Sequence, residues 1–133
     1  MLIEQALMTK VGTDLVADLS TRIYFVKAPQ NVTAPYLTVQ KVSAARGHAH
    51  DGPDGSVESR FQLNVFAATY KECKDTMEAL RASLDGFTGV MGGAGGVTVG
   101  RCFYDMETDL WEEEVAPGGL YGIAADYLIL YLE

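Results

Sequence analysis

The sequence predicts an α+β fold, an antiparallel sheet of about four strands with helices packed on one face. Three observations carry that expectation. Phe61, Leu63, Val65 and Ala67 alternate with Arg60, Gln62 and Asn64, the two-residue period of a strand with one buried face. Tyr70, Cys73, Met77, Leu80 and Leu84 then follow at three- and four-residue steps, the apolar stripe of a helix. Between the two, Thr69 and Glu72 have the spacing of a capping box, and Gly86 stands where a helix end needs a residue tolerant of positive φ. Residues 60–86 therefore read as strand, cap, helix (69–85) and stop.

The other elements follow in chain order. Residues 2–9 form a first helix with Leu2, Ile3, Ala6 and Leu7 on one side. A turn at Gly12-Thr13 leads to a short second helix, Asp14 to Leu19, burying Leu15, Val16 and Leu19. Residues 31–35 are a loop that Pro35 ends, and 36–43 open as a strand. Residues 44–56, rich in Gly, Asp and His, make the arm of a long hairpin back to 60–67; with so little apolar content, residues 44–57 are expected to be mobile in a free subunit and to order, at least in part, against a neighbour or the tail. After the main helix, 89–96 is a flexible, glycine-rich connector and 97–104 a strand. The acidic segment beyond it is a turn or a bulged extension, and 116–119 is a turn. The closing strand, 121–132, is apolar on both faces, which requires a central place in the sheet or a subunit interface over the outer face. The order α-α-β-β-α-β-β gives the fold class stated above.

At 133 residues this is one domain, 1–133, able to bury about two thirds of its unfolded surface. With 48% hydrophobic residues it has the composition of a globular protein. The longest strongly apolar run, 127–132, is far too short to cross a bilayer, so no membrane role is expected. The first residues lack the basic and apolar regions of a signal peptide, so the chain is expected to stay where it is made. Cys73 on the helix stripe and Cys102 in a strand read as small buried hydrophobes, not a disulfide framework.

Charge is unevenly spread. Residues 1–50 hold five Lys/Arg and three acids, a net of +2, out of ten bases and eighteen acids in all. Residues 51–133 therefore hold five bases and fifteen acids, a net of −10. Six acids crowd into Asp105, Glu107, Asp109, Glu112, Glu113 and Glu114. Such a surface repels a phosphate backbone, which argues against nucleic-acid binding.

Site chemistry is thin. His48, His50, Asp51 and Asp54 suggest a metal cluster, but structural zinc takes four close ligands, often with Cys, and neither Cys is near in sequence. A solvated hairpin tip or a subunit contact accounts for them better. The glycine run 89–96 lacks the Gly-Lys-Ser/Thr ending of a phosphate loop and precedes a strand where that loop would open a helix. Glu112 to Glu114 are consecutive, as on a solvated face, whereas catalytic carboxylates are held in clefts that push their pKa values apart. No nucleophile elbow surrounds any Ser. The reading has no catalytic residue, no metal and no cofactor.

A set of short features now lines up in order: Arg22-Ile-Tyr, Ala28-Pro-Gln, Pro35-Tyr36, Asp51-Gly-Pro and Gln62 through Phe66-Ala67 into Tyr70. Leu84-Asp-Gly-Phe, Asp109-Leu-Trp-Glu, Gly119-Leu-Tyr and a last strand of alternating aromatics complete it. Each is a turn signal or a packing residue; the ordered set, spanning Ile3 to the last strand, resembles the small tail-completion proteins of long-tailed bacteriophages. These tail-terminator or head–tail joining proteins are related to phage lambda's protein U, and gene-transfer agents and prophages carry similar ones. The glycine run 89–96 departs from the pattern only in a connector.

The resemblance implies a structural virion protein, not an enzyme, found at the head–tail interface after a period in the host cytoplasm. It implies a ring, usually a hexamer, that caps the tail tube and docks on the head connector. The implied partners are other copies of the chain, the major tail tube protein and the connector or stopper, with DNA passing through unbound. Interface candidates are His48, His50, Asp51, Asp54, Leu128 and Leu130. Asp105, Glu107, Glu112, Glu113 and Glu114 are the candidates to face the channel. The competing readings are a connector adaptor or binding module away from the tail end, and, behind it, a small enzyme.

Overall fold

The computed structural model describes residues 1–29, 32–112 and 120–133. Its elements are α1 (Ile3–Asp14), α2 (Val16–Leu19), β1 (Ile23–Phe25), β2 (Tyr36–Ala49), β3 (Gly52–Ala67), α3 (Tyr70–Leu84), β4 (Gly89–Met91), β5 (Val97–Glu112) and β6 (Leu120–Leu132). The strands form one sheet in the order β1-β2-β3-β6-β5-β4. All neighbours are antiparallel except β1 and β2, which run parallel. The expectation of about four antiparallel strands with helices on one face is thus corrected: the sheet is mixed, has six strands and curls into a half-barrel with three helices. The two extra strands are three residues long, too short to show a period, and one comes from the glycine run.

The core is built as the alternation predicts. Phe61, Leu63 and Val65 of β3 lie opposite Tyr127, Ala125 and Ile123 of β6, and all six are fully buried. Cys73, Met77, Leu80 and Leu84 of α3 and Ala6, Leu7 and Val11 of α1 pack on that core face. Each large side chain so buried contributes about 1.5–3 kcal/mol. Tyr70 corrects the stripe: it lies at the helix start, is exposed, and donates its hydroxyl to Asp109 at 2.9 Å. Thr76 takes a buried place instead, its hydroxyl donating to the Glu72 carbonyl at 2.9 Å. The cap is present, with the Thr69 oxygen accepting from the Glu72 amide at 3.2 Å.

The glycine run is a tight hairpin and not a flexible connector, since Val90 pairs with Thr98 and the Gly96 amide donates to the Gly93 carbonyl. Its glycines are required by space as well as by conformation. A Cβ on Gly92 would lie 2.9 Å from Ala6 Cα, so this turn lets α1 come down onto the sheet edge. The closing strand β6 is central, between β3 and β5, with one face in the core and Leu128 and Leu130 on the other.

Candidate assembly surface

The β2–β3 hairpin is a continuous ladder from Tyr36↔Phe66 to Ala49↔Gly52, broken by bulges at Lys41/Ser43 and Arg46/His48. β6 stops pairing with β3 at Ser56↔Leu132, so the hairpin end runs on past the sheet as two strands alone. This projecting end gathers His48, His50, Asp51 and Asp54, all exposed. Asp54 is turned back on its own loop, accepting from the Ser56 amide at 2.9 Å and its hydroxyl at 2.7 Å, and the Ser56 hydroxyl leads the causes that hold its carboxyl below the usual range. Arg46 at the base of the arm makes two contacts, 3.0 and 2.9 Å, with the Glu133 carboxylate. Among the described residues no three His, Cys, Asp or Glu side chains are grouped to hold a metal ion.

Leu128 and Leu130 are half-buried on the outer face, the side of β6 away from the core. In register, Leu130 lies between Glu58 of β3 and Arg101 of β5, whose side chains meet at 3.3 Å across it. Leu128 lies beside Arg60, which donates to Asp105 at 2.7 Å and to Asp126 at 3.0 Å. Charged side chains thus roof both leucines, lending them their methylene stems.

The acidic segment does not form one surface. β5 slips register between Tyr104 and Met106, leaving Asp105 unpaired in the ladder and turned to Arg60 on the outer face. Glu107 and Asp109 stand opposite the core residues Ala125 and Ile123, on the core face beside α3. There Lys74 Nζ is 3.8 Å from Glu107 and 4.0 Å from Asp109. Glu112 ends β5 with its backbone paired to Leu120. The Glu112 side chain, Glu113 and Glu114 lie outside the described residues. Arg60 and Lys74, the cations that take up half of this acidity, were invisible as partners in sequence because they lie 45 and 33 residues away.

A hollow lies on each face of the sheet. The larger, about 820 Å³, opens between the first turn of α1 and the edge of β2. Met1, Leu2, Phe25, Val26 and Leu132 line it while 43–66% exposed. Lys41 crosses it to Glu4 at 2.7 Å and stands over the Phe61 ring. The smaller, about 280 Å³, lies on the outer face and includes Gln62, Asn64 and Asp126. Both are open grooves.

The chain matches the family model of tail completion protein gp17 over residues 2–130. Among solved structures it is similar to a chain of the virion of a native gene transfer agent particle. The identity is 15%, the alignment covers 97% of this chain and 94% of that one, and the TM-score is 0.76. At that identity the likeness is one of fold. No curated protein matches. The family match runs along nearly the whole chain and agrees with the ordered turn and packing residues of the sequence. The chain belongs to the tail completion protein gp17 family, structural proteins of the phage tail.

Proposed function

We propose that this protein forms a ring, a hexamer in the reading adopted here, at the head-proximal end of the tail, where it ends the tail tube and joins it to the head connector. The observation that carries this is the family match over residues 2–130, on a body whose β2–β3 hairpin ends beyond its own sheet. A hairpin that extends past its own sheet has too little core of its own to be there for stability. It is suited to reach a neighbour, the tube or the connector. His48, His50, Asp51 and Asp54 are its proposed contacts, and Leu128 and Leu130 the proposed apolar contacts on the outer face.

DNA has to pass such a ring without being held, because each phosphate contact adds counterion-release affinity and therefore drag. Part of the acidity of Asp105, Glu107 and Glu112 to Glu114 is proposed to face that path and keep it from holding DNA. A channel lined by the outer face takes Asp105 and leaves Glu107 on the far side. The competing reading is a connector adaptor that never sits at the tail end.

The test is electron microscopy of particles made without this protein, complemented by the wild type and by a variant lacking residues 47–54. Tails that fail to join heads, restored by the wild type and not by the deletion variant, support the proposal. Normal joined particles in its absence would refute it. Replacing the five acids by their amides tests the channel: slowed genome ejection from intact particles supports it, and normal ejection refutes it.

A further inference from the structure

Among the described residues, both outer edges of the sheet are without a pairing strand over long stretches. β1 pairs with β2 only at Leu37–Val39, and the Val26 amide still reaches the Val39 carbonyl, but no described strand pairs with β2 on that side from Gln40 to Ala49. On the opposite edge β4 covers only Val97–Val99 of β5. The end of α3 then caps two more groups, the Gly86 amide on the Cys102 carbonyl and Asp85 on the Tyr104 amide. From Asp105 to Glu112 no described strand covers β5 on that edge. A row of unpaired amides and carbonyls is a template for another strand, and proteins that must stay single blunt such edges.

The two edges are unlike, and they complement each other. Residues 40–50 hold Lys41, Arg46, His48 and His50 and no acid, whereas residues 105–112 hold four acids and no base. The faces agree as well. Arg46 is in register with the core residue Val57, and Lys41 reaches across the core face to Glu4. Glu107 and Asp109 lie on the core face of β5. The side chains already have partners in their own chain, Lys41 with Glu4, Arg46 with Glu133, and Glu107 and Asp109 with Lys74, so a contact between the edges would extend existing charge networks. Small residues, Ser43, Ala44, Ala45 and Gly47, keep the β2 edge unobstructed. The exposed apolar wall of the larger groove lies beside the same edge, where an approaching strand would cover it.

We infer that neighbouring copies in the ring join edge to edge, β2 of one copy adding to β5 of the next to continue the sheet across the boundary. This rests on the ring reading above. The contact is heterologous, one edge meeting a different edge, which is the geometry that closes into rings and not into two-fold dimers. The bulges limit it to the regular runs Ser43–Arg46 and Met106–Glu112, a few ladder pairs each. Its side-chain pairs put Arg46, on the core face of that run, against Glu107 or Asp109 of the neighbour, as opposite charges across strands favour. Glu107 then serves the subunit contact and not the DNA path.

The test is disulfide trapping. Ala45, opposite Glu58, and Met106, Thr108 and Leu110, opposite Asp126, Ala124 and Gly122, all lie on the outer face. Within one chain β3 and β6 separate β2 from β5, three strand spacings of about 4.8 Å each, beyond the reach of a disulfide. Ala45→Cys is combined with Met106→Cys, Thr108→Cys or Leu110→Cys to cover the register, and each protein is oxidised with and without purified tail tubes. Native mass is measured on the wild type under both conditions. A ring mass together with a disulfide ladder from at least one double variant, absent from the single variants, is the expected result. A ring mass without any ladder, or Ala45→Cys alone linking to itself, overturns the edge contact and leaves the ring. A wild type that remains monomeric even on tubes overturns both.

Discussion

Arg60 and Asp105 meet at 2.7 Å across the outer face, although β6 lies between their strands. The contact exists because the bulge at Tyr104/Met106 turns Asp105 out of the ladder towards β3, and Asp126 of β6 adds a second carboxylate to the same guanidinium at 3.0 Å. One cation thus spans three strands over the half-buried Leu128. Replacing Arg60 by Ala is expected to lower the melting temperature at low salt, with the difference shrinking at 1 M salt, where the screening length is about 3 Å. An equal loss at both salts, read by thermal unfolding, would assign the effect to the packing of the arginine stem instead.

Leu80 is fully buried in the core, on the α3 stripe. Leu80→Ala is expected to cost about 2–5 kcal/mol, the transfer energy of the lost methyls plus the cavity they leave. Urea unfolding measures it, and a change within about 0.5 kcal/mol would remove Leu80 from the core.

Tyr127 is buried in β6, and its hydroxyl has no hydrogen-bond partner among the described residues. Burial raises its pKa, so the hydroxyl stays neutral. Because an unmade buried hydrogen bond costs about 1–3 kcal/mol, Tyr127→Phe is expected to leave stability unchanged or raise it. A loss above about 1 kcal/mol in urea unfolding would reveal a partner for the hydroxyl.

Asp14 ties α1 to α3, accepting from Lys10 at 2.8 Å and from the Ser83 hydroxyl at 2.6 Å, and these bonds hold its carboxyl below the usual range. A carboxyl depressed in the folded state stabilises the fold above its unfolded pKa of about 3.9, and that contribution is lost as pH falls through the lower folded value. Stability measured from about pH 5 down to pH 2 should therefore fall less steeply for Asp14→Asn than for the wild type. Parallel pH profiles would show that the contact carries no linkage.

The strands and the helix that carry long periods were legible in the residues. Phe61 to Ala67 and the α3 stripe are where expected, the hairpin arm is present, and the acidic segment is the bulged extension of β5. Periodicity reports burial on one face, so it identifies elements long enough to show a period. It is silent on β1 and β4, three residues each, and on glycine-rich chain, which lacks the side chains that would reveal a face. Tyr70 shows the opposite limit, a residue in phase with the stripe that the helix end carries out to solvent.

The candidate surface divides in the same way. Sequence determined the charge content of each segment, the exposed histidine-bearing arm and two apolar faces on the last strand, because these are properties of local composition. The tertiary structure decided that the last strand is central, that Arg60 and Lys74 answer the acids, and that Asp105 and Glu107 lie on opposite faces. Those outcomes depend on strand order and on one bulge, where a single extra residue reverses the face of everything after it. Strand order is set by contacts between residues far apart in the chain, so no local pattern can encode it.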